Sequence, residues 1–245
     1  MMAINKLTQE QLNFIKDNYG KLKAREIATL LDVSTNDIYK YWKKSGVSKQ
    51  LNPTFYITER QRQILLGGII GDGSFKKNGS NYYYRECHAT PEAEYLMWKF
   101  NELRNMTTGK IYNIPRRGIN QNPQVSFQTV NSPTFNPYAL MSIDDVIENI
   151  DELGILIWLL DDGWIRKNSN VCSYGVSAAS FNASQTNKMI NKLKEFGLNA
   201  HVIGRKNDLS LCSQNNKRIK ELTYQYLPNT MDIVIKKIND LKVKE

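Results

Sequence analysis

The first fifty residues carry apolar positions at a helical period, and the rest of the chain alternates between helical and strand periods. Thr8 is a good N-cap for a helix over residues 9–18, with Leu12 and Ile15 on one face and Phe14 and Tyr19 beside it. A second helix is predicted over 24–31, where Ile27, Leu30 and Leu31 are apolar. Asp32, Val33 and Ser34 read as a tight turn, Thr35 as the cap of a third helix over 36–44, and Gly46 as its end. Ile38, Tyr41 and Trp42 form the apolar stripe of that third helix. A short helix, a three-residue turn plugged by one apolar residue, and a capped helix make a helix-turn-helix pattern. It spans residues 1–46, and residues 47–56, which include Pro53, read as a linker.

From residue 57 the pattern changes and then repeats. A helix over 59–72 is followed by strands over 74–77 and 81–88, a helix over 90–104, strands over 110–114 and 124–130, and a short helix near 135–140. The second copy runs as a helix over 152–162, strands over 164–166 and 171–179, and a helix from the Asn182 cap to 196. Strands over 200–203 and 209–213 and a helix over 215–226 complete it, and a last helix is predicted over 231–242. The expected fold class is therefore α+β, with two pseudo-symmetric αββαββα halves, 57–150 and 151–245, behind a small three-helix domain. A repeat of this kind is an internal duplication.

The helix that opens each half ends in the same way. Leu65-Leu66-Gly67-Gly68-Ile69-Ile70-Gly71-Asp72-Gly73 and Ile155-Leu156-Ile157-Trp158-Leu159-Leu160-Asp161-Asp162-Gly163 are apolar runs that stop at an acid followed by glycine. Gly67 and Gly71 are one turn apart, where a second backbone could approach. A carboxylate at a helix C-terminus is opposed by the dipole and by the unpaired carbonyls. A divalent cation would compensate, and it could also take those carbonyls as ligands. A dinucleotide-binding loop needs a strand before its glycines and a helix after them, and the order here is the reverse.

These two segments resemble the motif of the LAGLIDADG homing endonucleases, the second in the W-x-x-D-D-G variant of single-chain members. The resemblance covers roughly residues 57–240 and includes the order of strands and helices after each motif. It implies that the two motif helices pack at a pseudo-twofold axis and that the last acid of each, Asp72 and Asp162, is catalytic and binds metal, Mg2+ or Mn2+. Asp161 aligns with Gly71 and is the weaker candidate for catalysis, although both could turn a carbonyl toward metal. It further implies a metal-dependent double-strand break in a double-stranded DNA target, made by a monomer through hydrolysis. A basic residue near each attacking water is also implied, for which Lys236, Lys237 and Arg85 are candidates. The main alternative is a silent relative that binds nucleic acid, such as a maturase or a transcription regulator. The retention of both acids favours the enzyme.

If strand alternation separates a core face from a DNA face, Gln124, Ser126 and Gln128 point outward, and Gln and Ser suit the edges of major-groove bases. Cys172, Tyr174 and Val176 are expected inside and Ser173 and Ser177 outside, and matching the helix starts pairs Ser177 with Arg85. Basic pairs recur at matching hairpins: Lys76 and Lys77, Arg166 and Lys167, Arg116 and Arg117, Arg205 and Lys206. Their repetition suggests phosphate contacts along a saddle-shaped sheet. Lys40, Lys43 and Lys44 would serve the same end on the third helix.

Composition agrees with this reading. The net charge of +9 is the balance of a nucleic-acid binder. Three cysteines, Cys87, Cys172 and Cys212, have no zinc-site spacing, and two histidines are too few for a His-based site, so any metal is expected on oxygen ligands. No apolar run reaches the length of a membrane span, and the start of the chain lacks targeting character, so a cytoplasmic protein is expected.

Overall fold

A computed structural model describes residues 7–19, 21–47, 53–115, 122–168, 171–204, 207–228, 231 and 234, without the side chains of 166–168, 171 and 172. The chain forms two compact units, 1–54 and 55–245. In the first, α1 (Gln9–Asp17), α2 (Ala24–Leu30) and α3 (Thr35–Lys44) enclose Ile15, Ile27, Val33, Ile38 and Trp42. The Trp42 indole donates to the Ile15 carbonyl at 2.8 Å, which satisfies its one polar atom inside the core. Asp32 takes the left-handed conformation that lets the chain turn between α2 and α3, and buried Val33 plugs the corner. Two sequence expectations change here. Ser34 rather than Thr35 caps α3, its side chain accepting from the Asp37 N–H, and Leu30, the last residue of the seven-residue α2, is exposed.

The second unit opens with α4 (Glu59–Ile70), β1 (Gly73–Asn78), β2 (Asn81–Ala89), α5 (Ala93–Glu102), β3 (Thr107–Ile114) and β4 (Gln124–Thr129). Two short helices follow, α6 (Asn136–Ala139) and α7 (Ile143–Asn149). The sequence reading missed α7, whose start is fixed by a reciprocal capping box between Ser142 and Asp145. The same order then recurs as α8 (Glu152–Asp162), β5 (Gly163–Asn168), β6 (Val171–Val176), α9 (Ala183–Glu195), β7 (Ala200–Ile203), β8 (Asp208–Leu211) and α10 (Asn216–Tyr226). The helix expected over 231–242 falls outside the described residues apart from 231 and 234.

Each half builds one antiparallel sheet, in the orders β1-β2-β4-β3 and β5-β6-β8-β7. Gly73 lies opposite Glu86 and Gly163 opposite Val176, so matching positions are offset by 90 residues. Helices α4 and α8 pack against each other in the middle of a core that both halves share. Gly67 makes the close approach possible. A Cβ there would run into the Gly154 carbonyl and come within 2.8 Å of Ile157 Cβ.

Candidate metal and nucleic-acid site

The two motif acids come together where α4 and α8 end. Asp72 follows the Gly71 C-cap, and Asp161 and Asp162 are the last residues of α8. Neither helix has a basic residue in its last turn, so the dipoles add to the negative charge instead of relieving it. Burial, with Asp161 and Asp162 nearby, raises the Asp72 pKa to about 7 against the pull of His88 and Lys99. Burial and Asp161 raise Asp162 to about 6, although the Trp158 indole and Lys99 work the other way. Two half-buried carboxylates that resist ionisation mark an excess of negative charge, and a divalent cation would relieve it.

Asp161 has a different part. Its side chain is fully buried and accepts from Lys99 Nζ at 2.7 and 2.9 Å and from the Asp72 backbone N–H at 3.2 Å. The absence of a side chain at Gly71 leaves the room it occupies: a Cβ there would meet Asp161 Oδ2 at 2.5 Å. Lys99, from α5, is also fully buried and donates to Glu86 on β2 as well. Burial works against its charge, but Asp161 and Glu86 outweigh that and hold the Lys99 pKa above its usual value. Its ammonium also lies over the Tyr95 ring, 4.5 Å from the centroid.

Glu86 is the hub of this network. It accepts from Tyr84 Oη at 2.6 Å and meets His88 Nε2 at 2.7 Å, in addition to Lys99. Burial opposes its ionisation, but Lys99 and His88 overcome it and hold its pKa at about 2. The other ring nitrogen of His88, Nδ1, lies 3.4 Å from Asp72 Oδ2 and 3.5 Å from Glu92 Oε2. Burial disfavours the imidazolium, yet Glu86 and Glu92 raise the His88 pKa to about 10. Atoms of Asp72, His88 and Asp161 lie within 4.8 Å of one another. The arrangement therefore fits a divalent cation.

Sequence reasoning missed Lys99, Glu86 and His88. The signal was available in the strand alternation, which turns Tyr84, Glu86 and His88 toward the core, where charged residues are rare unless paired. At the offset of 90 residues the counterparts of Glu86, His88 and Lys99 are Val176, Ala178 and Met189, which are all buried and apolar. The polar network thus belongs to the first half alone, apart from Asp161. Lys236 and Lys237, proposed as basic residues near the attacking water, lie outside the described residues.

The outer face of the first sheet carries Arg85 opposite Gln128, Cys87 opposite Ser126 and Ala89 opposite Gln124. Arg85, Tyr112, Ser126 and Gln128 line one cleft there. Ser126 is only 3% exposed, although it lines that cleft. Lys76 and Lys77 are exposed, but Lys76 pairs with Tyr83 on the Arg85 face and Lys77 pairs with Tyr82 on the other. In the second half Ser173 and Ser177 are half-buried, and the Ser177 N–H donates to the Asp162 carbonyl at 3.1 Å. The counterpart of Arg85 is Gly175 and not Ser177, because the strand register, not the helix start, sets the correspondence. Trp164 leaves no room for a side chain at Gly175. Arg166 and Lys167 lie on β5, their side chains outside the described residues, as are Arg116, Arg117, Arg205 and Lys206 altogether. In the first unit Lys40, Lys43 and Lys44 are exposed on α3. Among the described residues no helix is long and apolar enough to cross a membrane.

Among solved structures, the chain is similar to the homing endonuclease I-WcaI bound to its DNA recognition sequence. The identity is 18% with a TM-score of 0.64, over 89% of this chain and 98% of that one. The N-terminal LAGLIDADG domain of DUF199/WhiA is 13% identical with a TM-score of 0.45, over 74% of this chain and 89% of that one. No curated protein matches in sequence. The description of the LAGLIDADG DNA endonuclease family matches residues 62–220, well over half of the chain. With duplicated sheets and paired acid-ended helices in the same span, the chain belongs to the LAGLIDADG DNA endonuclease family.

Proposed function

We propose that the chain is a divalent-metal-dependent DNA endonuclease, using Mg2+ or Mn2+, and that one copy cuts both strands of a double-stranded target. The observation that carries this reading is the pairing of Asp72 and Asp162 at the ends of two packed helices, both with raised pKa. A bound divalent cation supplies Lewis-acid polarisation of a phosphate and a water activated at neutral pH. Asp72 and Asp162 keep carboxylate oxygens open to solvent and are the residues to hold it. Asp161 is the weaker ligand, since both of its oxygens already accept from Lys99. It positions instead, gripping the Asp72 N–H and so fixing where the chain leaves α4 for β1.

The outer sheet face supports a duplex-binding role. Arg85 and Gln128 lie side by side there, suited to bidentate contacts with guanine and adenine, and Lys76 extends the same face toward phosphate. The DNA complex of I-WcaI, which shares the fold, supports placing a duplex along these sheets.

Cleavage and gel-shift assays on one DNA substrate test the proposal. Asp72→Asn and Asp162→Asn should each abolish double-strand cleavage and leave binding nearly intact, and chelation should stop cutting by the unaltered protein. Cutting at the unaltered rate by both variants would overturn it.

A further inference from the structure

We infer that His88 Nδ1 is a nitrogen ligand for a divalent cation held by Asp72, so that the two acid sites differ in their metal chemistry. The inference rests on the metal-dependent reading above and concerns this chain's own departure from symmetry. His88 is buried, with its side chain only 1% exposed, and Nδ1 has no hydrogen-bond partner among the described residues. A buried ring nitrogen is expected to be paired, and an orphan one asks for an explanation.

The surrounding network settles which nitrogen can be given up to a cation. Glu86 is held ionised by Lys99 and can only accept, so His88 Nε2 carries the proton and donates to it. Nδ1 is left facing two carboxylates, Asp72 Oδ2 at 3.4 Å and Glu92 Oε2 at 3.5 Å. A histidine that donates one N–H to a carboxylate and turns its other nitrogen toward a second carboxylate has the layout of a metal ligand with an outer orienting acid. Any proton on Nδ1 leaves when the cation binds. At the other site the counterpart of His88 is Ala178, which offers nothing beside Asp162.

An imidazole ligand shifts preference toward metals such as Co2+ or Ni2+ and away from Mg2+, which favours an all-oxygen octahedron, and Mn2+ serves as the paramagnetic probe. The experiment is Mn2+ titration of the full chain without DNA, followed by electron spin echo modulation, which registers a nitrogen bonded to the manganese. The expected result is an imidazole coupling in the unaltered protein. It should disappear in His88→Gln, which keeps a donor toward Glu86 but has no nitrogen lone pair. Affinity of the Asp72 site for Mn2+ should fall by about tenfold or more. His88→Ala, with circular dichroism to check the fold, is the second variant. Oxygen-only coordination in the unaltered protein, or a coupling that survives in both folded variants, overturns the inference. If the protein still cuts DNA in that event, the endonuclease reading stands; if the coupling is present and no cutting occurs, only the latter reading falls.

Discussion

Asp72 is placed where function conflicts with stability. In the folded protein it keeps its proton up to about pH 7, against an ordinary carboxyl pKa of 3.8. Between those values the folded state binds more protons than the unfolded chain, so stability falls as pH rises through the window. Above it the full penalty of a charged, half-buried carboxylate remains. Asp72→Asn cannot ionise, so in metal-free buffer it should melt at a higher temperature than the unaltered protein at pH 8. The gap should close toward pH 4. Thermal melts in chelator across that range check it, and an equal melting temperature at pH 8 would show that the acid is better solvated than its position implies. Lys99 illustrates what was hidden from a single-residue reading. In sequence it is one polar position in an amphipathic helix, and only the fold places it against Glu86 and Asp161.

At the scale of elements, the α4–α8 contact sets the geometry of both acids. Propensity alone says that Gly67→Ala should stabilise α4 by about 1 kcal/mol. Packing says the reverse, because the new Cβ would meet the backbone of α8 at Gly154 and the stiff Cβ of Ile157. Overpacking of this kind costs about 1–3 kcal/mol. The expected net effect is destabilisation with reduced cleavage, measured by urea unfolding and by the cutting rate; a gain in stability would mean that the two helices can separate without cost. The helices and hairpins around this contact were largely legible, since a cap such as Asn182 and the two-fold strand alternation are local signals. Legibility failed where long-range pairing decides. The register that pairs Arg85 with Ser74 and Gln128 is set across strands, and helix starts were a poor guide to the counterpart of Arg85.

At the scale of the whole molecule, the first unit has its own core and three exposed lysines on α3, and it contributes no residue to the acid pair. A second, tethered DNA-binding module raises affinity through effective concentration and leaves the chemistry alone. A chain of residues 53–245 should therefore cut the same bond, need a higher protein concentration, and protect a shorter stretch of DNA. Its binding should also depend less on salt, with the log–log slope smaller by about 0.9 for each phosphate that the first unit would have neutralised. Footprinting and salt titration of the two chains side by side check this. Unchanged affinity and footprint would mean that α1, α2 and α3 serve some partner other than DNA.

Asp161 brings a consequence for the ancestry written into the duplication. It fits only because Gly71 stands opposite it, and its charge is balanced only because Lys99 comes from the other half. Two copies of the second half facing each other would set one Asp161 against another, with Met189 where a lysine is required. That pairing fails on both space and charge. The halves share the outline of identical subunits, but this contact is built for two unlike partners, and the second half facing a copy of itself would have neither the gap nor the counter-charge that Asp161 uses.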